Sequence, residues 1–241
     1  MTTGVLDSGV GGLTILMQLR KRYPQSNFIY LADHAFCPYG TKPAGKLKER
    51  VVDMAKLLVT LGATNLLFAC NTASLFAKEA EQALSVRVSE VITPTAQAAC
   101  GATKNKKIAL VATRNTIRSG AYRNIFAKNG VSTYCADGGE LVFLAENAAP
   151  KSERLRCVQK ILSANFGGAD VLVLGCTHFP LFIKYFRRCW KGKIVCSRTD
   201  LHPQRAEGEV RYFTTGDAAA ARRAAAVFGD VPFEKILPQG V

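Results

Sequence analysis

Two cysteines, Cys70 and Cys176, stand in matching settings within a chain of 241 residues. Each closes a short apolar run, Asn65-Leu66-Leu67-Phe68-Ala69 before the first and Asp170-Val171-Leu172-Val173-Leu174-Gly175 before the second. Each then opens a helical stretch through residues able to cap it or to bind a ligand: Asn71 and Thr72 after Cys70, Thr177 and His178 after Cys176. A helix N-terminus lowers a thiol pKa from about 8.5 toward neutrality, which makes thiolate available at these positions. His178 can hold or exchange a proton beside Cys176. Either cysteine alone is also readable as a small buried residue at a strand end. The matched pair points instead to chemistry.

Two thiols facing one carbon suit the inversion of a centre that bears an acidic hydrogen. A base on one face removes the proton and an acid on the opposite face returns one, and the two sulfurs exchange roles with the enantiomer bound. The α-hydrogen of an amino acid is only weakly acidic, so the site must place the substrate closely and surround its carboxylate with donors. The turns around Ser8, Gly40, Asn71 and Thr177 are the expected source of those donors. A disulfide between the two cysteines is the alternative, disfavoured in a reducing cytosol.

Further polar residues fall at other strand ends. The first strand runs into Asp7-Ser8-Gly9-Val10-Gly11-Gly12, where glycines permit a tight turn and leave amides free at a helix N-terminus, a seat for a carboxylate or phosphate. No G-x-G-x-x-G is present, so a dinucleotide fingerprint is excluded. An acid at Asp7 beside such a turn must face a cation or handle a proton. The second strand ends at Asp33, followed by Cys37-Pro38-Tyr39-Gly40-Thr41; Pro38 pre-sets a turn, Gly40 permits close approach, and the Tyr39 hydroxyl is expected to face a ligand.

Strands are expected over 4–8, 27–33, 65–71, 107–113, 131–137, 170–178, 193–197 and 209–217. Helices are expected over 12–22, 44–61, 73–84, 117–129, 151–165, 181–190 and 218–228. Continuous apolar strands alternating with helices mark parallel sheets covered on both faces. The rhythm breaks near Ile92-Thr93-Pro94, and the strand near Arg211–Thr215 has no place in the second series. The expected architecture is therefore two doubly wound α/β parallel-sheet domains related by pseudo-symmetry, residues 1–92 plus 201–241 and residues 93–200. The active site is expected in the cleft between them, beyond the carboxyl ends of the strands.

Composition narrows the class. Hydrophobic residues make up 48% of the chain and charged residues 21%, enough to build a core and unlike a disordered tail. No apolar stretch approaches a bilayer span and the first residues lack a leader pattern, so a soluble cytoplasmic protein is expected, with no membrane partner. The 8 cysteines form no Cys-x-x-Cys pair, which disfavours zinc and disulfide frameworks; the six apart from Cys70 and Cys176 are read as small buried hydrophobes. A net charge of +14 carries no zinc-finger or RNP signature, so no specific nucleic-acid recognition is expected, and any binding is weak and salt-dependent.

The segments DSGVGGLT, PYGT, ACNTAS, ATRNTIRSGAY, GCTHFPL and YFTTGD together resemble the bacterial glutamate racemases of the cofactor-independent aspartate/glutamate racemase superfamily. The resemblance spans nearly the whole chain. It implies an isomerase that needs neither cofactor nor metal and interconverts L- and D-glutamate for peptidoglycan precursors, with a homodimer expected. By resemblance Cys70 and Cys176 are the acid/base pair, with Asp7 and His178 as supporting catalytic residues. Asp7, Ser8, Pro38, Tyr39, Gly40, Cys70, Asn71, Thr72, Thr116, Cys176, Thr177 and His178 are then the substrate-binding positions.

Glu146 lies about where the family carries an acid near the cleft, although Ala136-Asp137-Gly138-Gly139 departs from the usual pattern before it. A second departure is the link at 198–208, where the family has a turn and a full helix. A parallel crossover normally needs a dozen or more residues, so a shortened, irregular connection is expected here. Racemization of aspartate or another amino acid, or a non-catalytic binding protein using the basic surface, are the competing readings.

Overall fold

The computed structural model describes residues 1–237. Ten strands are present among them: β1 (Thr2–Asp7), β2 (Asn27–Ala32), β3 (Asn65–Phe68), β4 (Val88–Glu90), β5 (Lys107–Ala112), β6 (Ser132–Asp137), β7 (Val171–Gly175), β8 (Lys193–Cys196), β9 (Val210–Thr214) and β10 (Glu234–Lys235). They form two sheets, one ordered β10-β9-β2-β1-β3-β4 and the other β6-β5-β7-β8. Every pairing is parallel. The chain leaves the first sheet after β4 and returns at β9, which aligns Tyr212 with Tyr30 of β2.

Alternation along the strands explains the layers. In the first sheet Val5, Phe28, Tyr30 and Leu67 face one side and pack with Leu13, Leu16 and Leu19 of helix Leu13–Arg22 and with Ala221 and Ala225 near the chain's end. Their neighbours Leu6, Ile29, Leu31, Leu66 and Phe68 face the other side, against Leu47, Val51, Met54 and Leu58 of helix Ala44–Thr60. The second sheet divides likewise. Val111, Leu172 and Leu174 pack with Leu141, Val158 and Phe182, whereas Ile108, Leu110 and Val173 pack with Ala96, Tyr122 and Phe126. Side chains on successive strand residues point to opposite faces, so strands covered on both sides must be apolar throughout.

Several expected elements need correction. The break near 92–94 is instead the start of helix Ile92–Cys100. Pro94 occupies its first turn, where a missing N–H leaves no intrahelical bond unmade, and the Glu90 carboxylate accepts from Thr93 N at 2.9 Å. Helix Gly139–Glu146 was not expected; it buries Leu141, Val142, Leu144 and Ala145. The stretch at 73–84 divides into Asn71–Ser74 and Ala77–Leu84. The stretch at 117–129 divides into Arg114–Arg118 and Ala121–Lys128, separated by Gly120 at φ +70°. The two short edge strands β4 and β10 were also missed.

No regular element forms between β8 and β9. These two strands lie in different sheets, so the segment is not a crossover within one sheet and has no helix to accommodate. Gly208, at φ +84°, lets it pass close to Pro24 O. Among the described residues no helix is long and apolar enough to cross a membrane.

Candidate functional site

Parallel strands deliver their C-terminal ends to one zone. Asp7 ends β1, Cys70 follows β3 by two residues, Thr113 follows β5, Cys176 follows β7 and Ser197 follows β8. Both thiols lie just inside the surface, Cys70 at 6% and Cys176 at 7% exposure. Cys70 Sγ is 3.8 Å from Ser8 Oγ, and Cys176 Sγ is 3.8 Å from His178 Nδ1. Each sulfur therefore has one polar side chain beside it, the hydroxyl of Ser8 just after β1 in one case and the imidazole of His178 in the other. All eight cysteines are free, these two included.

Glu146 organises the Cys176 side. Its Oε1 accepts from His178 Nε2 at 2.6 Å and from Val10 N at 2.8 Å. The other oxygen accepts from His34 Nε2 at 3.2 Å. The anion seat expected in the glycine-rich turn is thus used by a carboxylate of the chain itself. A Cβ on Gly9 would collide with Glu146, and one on Gly11 would lie against His178 and 2.6 Å from Thr177 Oγ1. These glycines make room for side chains arriving from the second sheet's side.

Charges follow from burial and pairing. Burial alone would lower His178, but its hydrogen bonds to Cys176 and to the Glu146 carboxylate outweigh it and hold the imidazole well above its ordinary value. Burial alone would raise Glu146, yet the two histidines keep its carboxyl well below the usual range. Asp7 is raised, chiefly by burial, against the pull of His178, Gly9 N–H and Thr177. Burial, with the Asp7 charge, pushes the Cys70 thiol up to about 12. The Ala73 amide at the helix start does lower the Cys70 thiol, but desolvation wins.

The remaining predicted residues converge here in differing roles. Thr177 Oγ1 donates to Asp7 Oδ2 at 3.0 Å. Thr72, Thr113 and Thr116 form a buried hydroxyl cluster with separations of 3.0 to 3.2 Å. Gly40 lies against Thr113, with room for no Cβ. Pro38 follows Cys37 in a cis peptide. The Asn71 side chain is occupied internally, donating to Ser197 Oγ at 2.8 Å and accepting from Tyr122 OH at 2.7 Å.

The Tyr39 hydroxyl does not face a ligand: it is buried and donates to Asp33 Oδ2 at 2.7 Å. Of the six cysteines read as buried hydrophobes only Cys157 is buried, the others being half-buried. His34, Thr113, Ser197 and Tyr122, outside the predicted set, hydrogen-bond to Glu146, Thr72 and Asn71 in the same zone. Thr113 and Ser197 carried a usable signal, since both stand at the ends of predicted strands.

Two parallel-sheet α/β domains, each presenting a thiol at a strand end, share the architecture of solved racemases. The profile of the Asp/Glu/Hydantoin racemase family matches residues 14–199. The chain is 37% identical over 182 residues to the glutamate racemase of Streptococcus equi subsp. equi, covering 74% of this chain and 69% of that protein. It is 39% identical over 183 residues to the glutamate racemase of Enterococcus faecalis, covering 74% and 67%. The crystal structure of glutamate racemase from Thermus thermophilus in complex with β-chloro-D-alanine superposes with a TM-score of 0.85 at 28% identity, covering 100% of this chain and 98% of that one. An aspartate racemase from Picrophilus torridus, 15% identical, shares the fold at a TM-score of 0.63 over 96% and 95%. The chain belongs to the Asp/Glu/hydantoin racemase family.

Proposed function

We propose that this protein is a cofactor-independent glutamate racemase that interconverts L- and D-glutamate by two-base proton transfer between Cys70 and Cys176. The observation that carries the reading is the matched pair of thiols, one at a strand end of each sheet, each almost covered and each touching one polar side chain. A thiolate on one face takes the α-hydrogen; the electron pair left on carbon is held while the opposite thiol delivers its proton to the other face. The two sulfurs finish with their protonation exchanged, and solvent resets them. Near-complete burial favours this step, because donors in a dry site act on developing charge more strongly than in water.

The two sulfurs are not equivalent before substrate binds. Cys70 is held as a thiol by desolvation and by the Asp7 charge. A substrate ammonium seated near Asp7 would offset that charge and lower the thiol, coupling binding to activation. Cys176 faces the imidazole of His178, whose raised pKa keeps a proton available to the sulfur. Ser8, Pro38, Tyr39, Gly40, Asn71, Thr72, Thr116 and Thr177 belong to the same proposal as substrate-binding positions, with Tyr39 contributing main chain only.

The domain division into 1–92 plus 201–241 and 93–200 is part of this reading. Its support is that β1 to β4, β9 and β10 share one sheet and β5 to β8 the other. Positions 238–241 lie outside the described residues. A cytoplasmic homodimer supplying D-glutamate for peptidoglycan completes the proposal.

The test is circular dichroism of pure L- and of pure D-glutamate incubated with purified, pyridoxal-free protein, with L- and D-aspartate in parallel. Loss of signal from both glutamate enantiomers at equal kcat/KM is expected. Loss from aspartate alone replaces the substrate, and no loss from any of the four overturns the reading.

A further inference from the structure

His34 stands outside every motif that carries the chemistry, yet its ring joins the site's hydrogen-bonded core. Nε2 lies 3.2 Å from Glu146 Oε2 and Nδ1 lies 2.8 Å from Thr214 Oγ1. The partners set the tautomer. An ionised carboxylate can only accept, so Nε2 carries the proton toward Glu146. Thr214 Oγ1 already accepts from Gly216 N at 3.1 Å, so its hydroxyl hydrogen is free to point at Nδ1. The same reasoning at the other oxygen makes His178 Nε2 the donor to Glu146, and this turns His178 Nδ1 toward Cys176 Sγ.

We propose that His34 is a positioning residue for the Cys176 half of the proton transfer, pinning the second oxygen of Glu146 so that the first stays on His178. This rests on the proposed racemase reading. A carboxylate held at one oxygen can rotate about its terminal torsion, which is broad and soft. Held from both sides, by a histidine after β2 and a histidine after β7, it cannot turn away from the imidazole. Thr214 closes the chain from the end of β9, so the series Thr214, His34, Glu146, His178, Cys176 ties the returning C-terminal strand to a thiol of the opposite sheet. The groups facing His178 are Cys176, Glu146 and Asp7, and those facing Glu146 are His178, His34, Asp7, Tyr30 and Cys37.

Two polar substitutions separate positioning from bulk. His34→Gln keeps a side-chain donor at about the reach of Nε2. His34→Asn keeps one only near the position of Nδ1, too short for Glu146. The expected result is that His34→Asn lowers kcat/KM by about tenfold to a hundredfold, the worth of one hydrogen bond to a charged group. His34→Gln should stay within about threefold of the parent.

The second readout needs no substrate. The chain has only 3 histidines, so imidazole titration of His178 by NMR is resolvable. His34→Asn should move the His178 titration downward as the Glu146 contact loosens, and His34→Gln should leave it in place. Equal loss in both variants, no loss in His34→Asn, or an unmoved His178 titration in His34→Asn each overturns the proposal. If the parent protein racemizes nothing, the racemase reading fails by itself, and the NMR comparison still decides whether His34 positions Glu146 against His178.

Discussion

Thr177 Oγ1 donates to Asp7 Oδ2 at 3.0 Å across 170 positions of sequence. That bond joins the strand end beside one thiol to the strand end beside the other. Asp7 also accepts from Gly9 N at 3.0 Å, so its carboxylate is committed both to its own turn and to the opposite sheet. Communication between the two halves is therefore built from short polar contacts at strand ends. The Thr72, Thr113 and Thr116 cluster and the Asn71 to Ser197 bond repeat the arrangement on the Cys70 side.

The first prediction concerns the thiols. Cys70→Ser and Cys176→Ser should each lower kcat by about 10²- to 10⁴-fold, the range expected for loss of a general acid or base, with the thermal midpoint nearly unchanged. In D2O the parent should place deuterium mainly on the product enantiomer, because the donor thiol has exchanged with solvent. Polarimetry and mass spectrometry read both. Near-normal turnover in both directions by either variant refutes the assigned roles.

Alkylation offers an independent check on protonation. With the Cys70 thiol pushed up to about 12, its carboxymethylation by iodoacetate in the substrate-free protein should be slow at pH 7 and should climb through pH 9 to 11 without a plateau. Peptide mapping assigns the modified residue. A plateau at Cys70 near pH 8 would mean that the helix start outweighs burial after all.

Both sheets were legible because strands buried on two faces must be apolar without interruption, and the cysteines at their ends stood out against those runs. Tertiary effects were not legible. Pro94 reads locally as a breaker, and only the position of the helix start makes it harmless. Helix Gly139–Glu146 opens on Gly138 and Gly139, residues that give no local helix signal. Gly138 is in fact small because Phe179 and Val111 occupy the space of a Cβ. The helix-terminus rule for thiols is likewise local, whereas desolvation of Cys70 comes from the whole fold. Nothing in sequence spacing brings His34 to Glu146, since the two lie 112 positions apart.

Stability should report the Glu146 to His178 pair through its pH dependence. Glu146, depressed in the folded state, contributes stability that is present above its ordinary value of 4.5 and lost as pH falls through the folded value. His178, raised in the folded state, contributes stability that is full below 6.5 and lost as pH rises through the folded value. The thermal midpoint of the parent minus that of Glu146→Gln should therefore be largest between pH 4.5 and 6.5 and shrink on both sides. Calorimetry across pH 3 to 9 tests this. A difference independent of pH would show that the pair is held by packing alone.

Asp33 anchors the loop that carries Pro38, Tyr39 and Gly40, and its energetics make the last prediction. Its side chain is fully covered and ionically paired with Arg50, whose Nη2 lies 2.6 Å from Oδ1 and whose Nε lies 2.8 Å from Oδ2. Tyr39 OH and Thr215 Oγ1 donate to the same carboxylate at 2.7 and 2.6 Å. Arg50→Met keeps most of the volume and leaves a buried carboxylate without its counter-charge, which should cost about 3–5 kcal/mol in urea unfolding. Adding Asp33→Asn removes the stranded charge, so the double variant should be more stable than Arg50→Met alone, a non-additivity that a loss of arginine packing cannot produce. If the double variant is instead the less stable by the sum of the single effects, the charge pair is not what holds this loop.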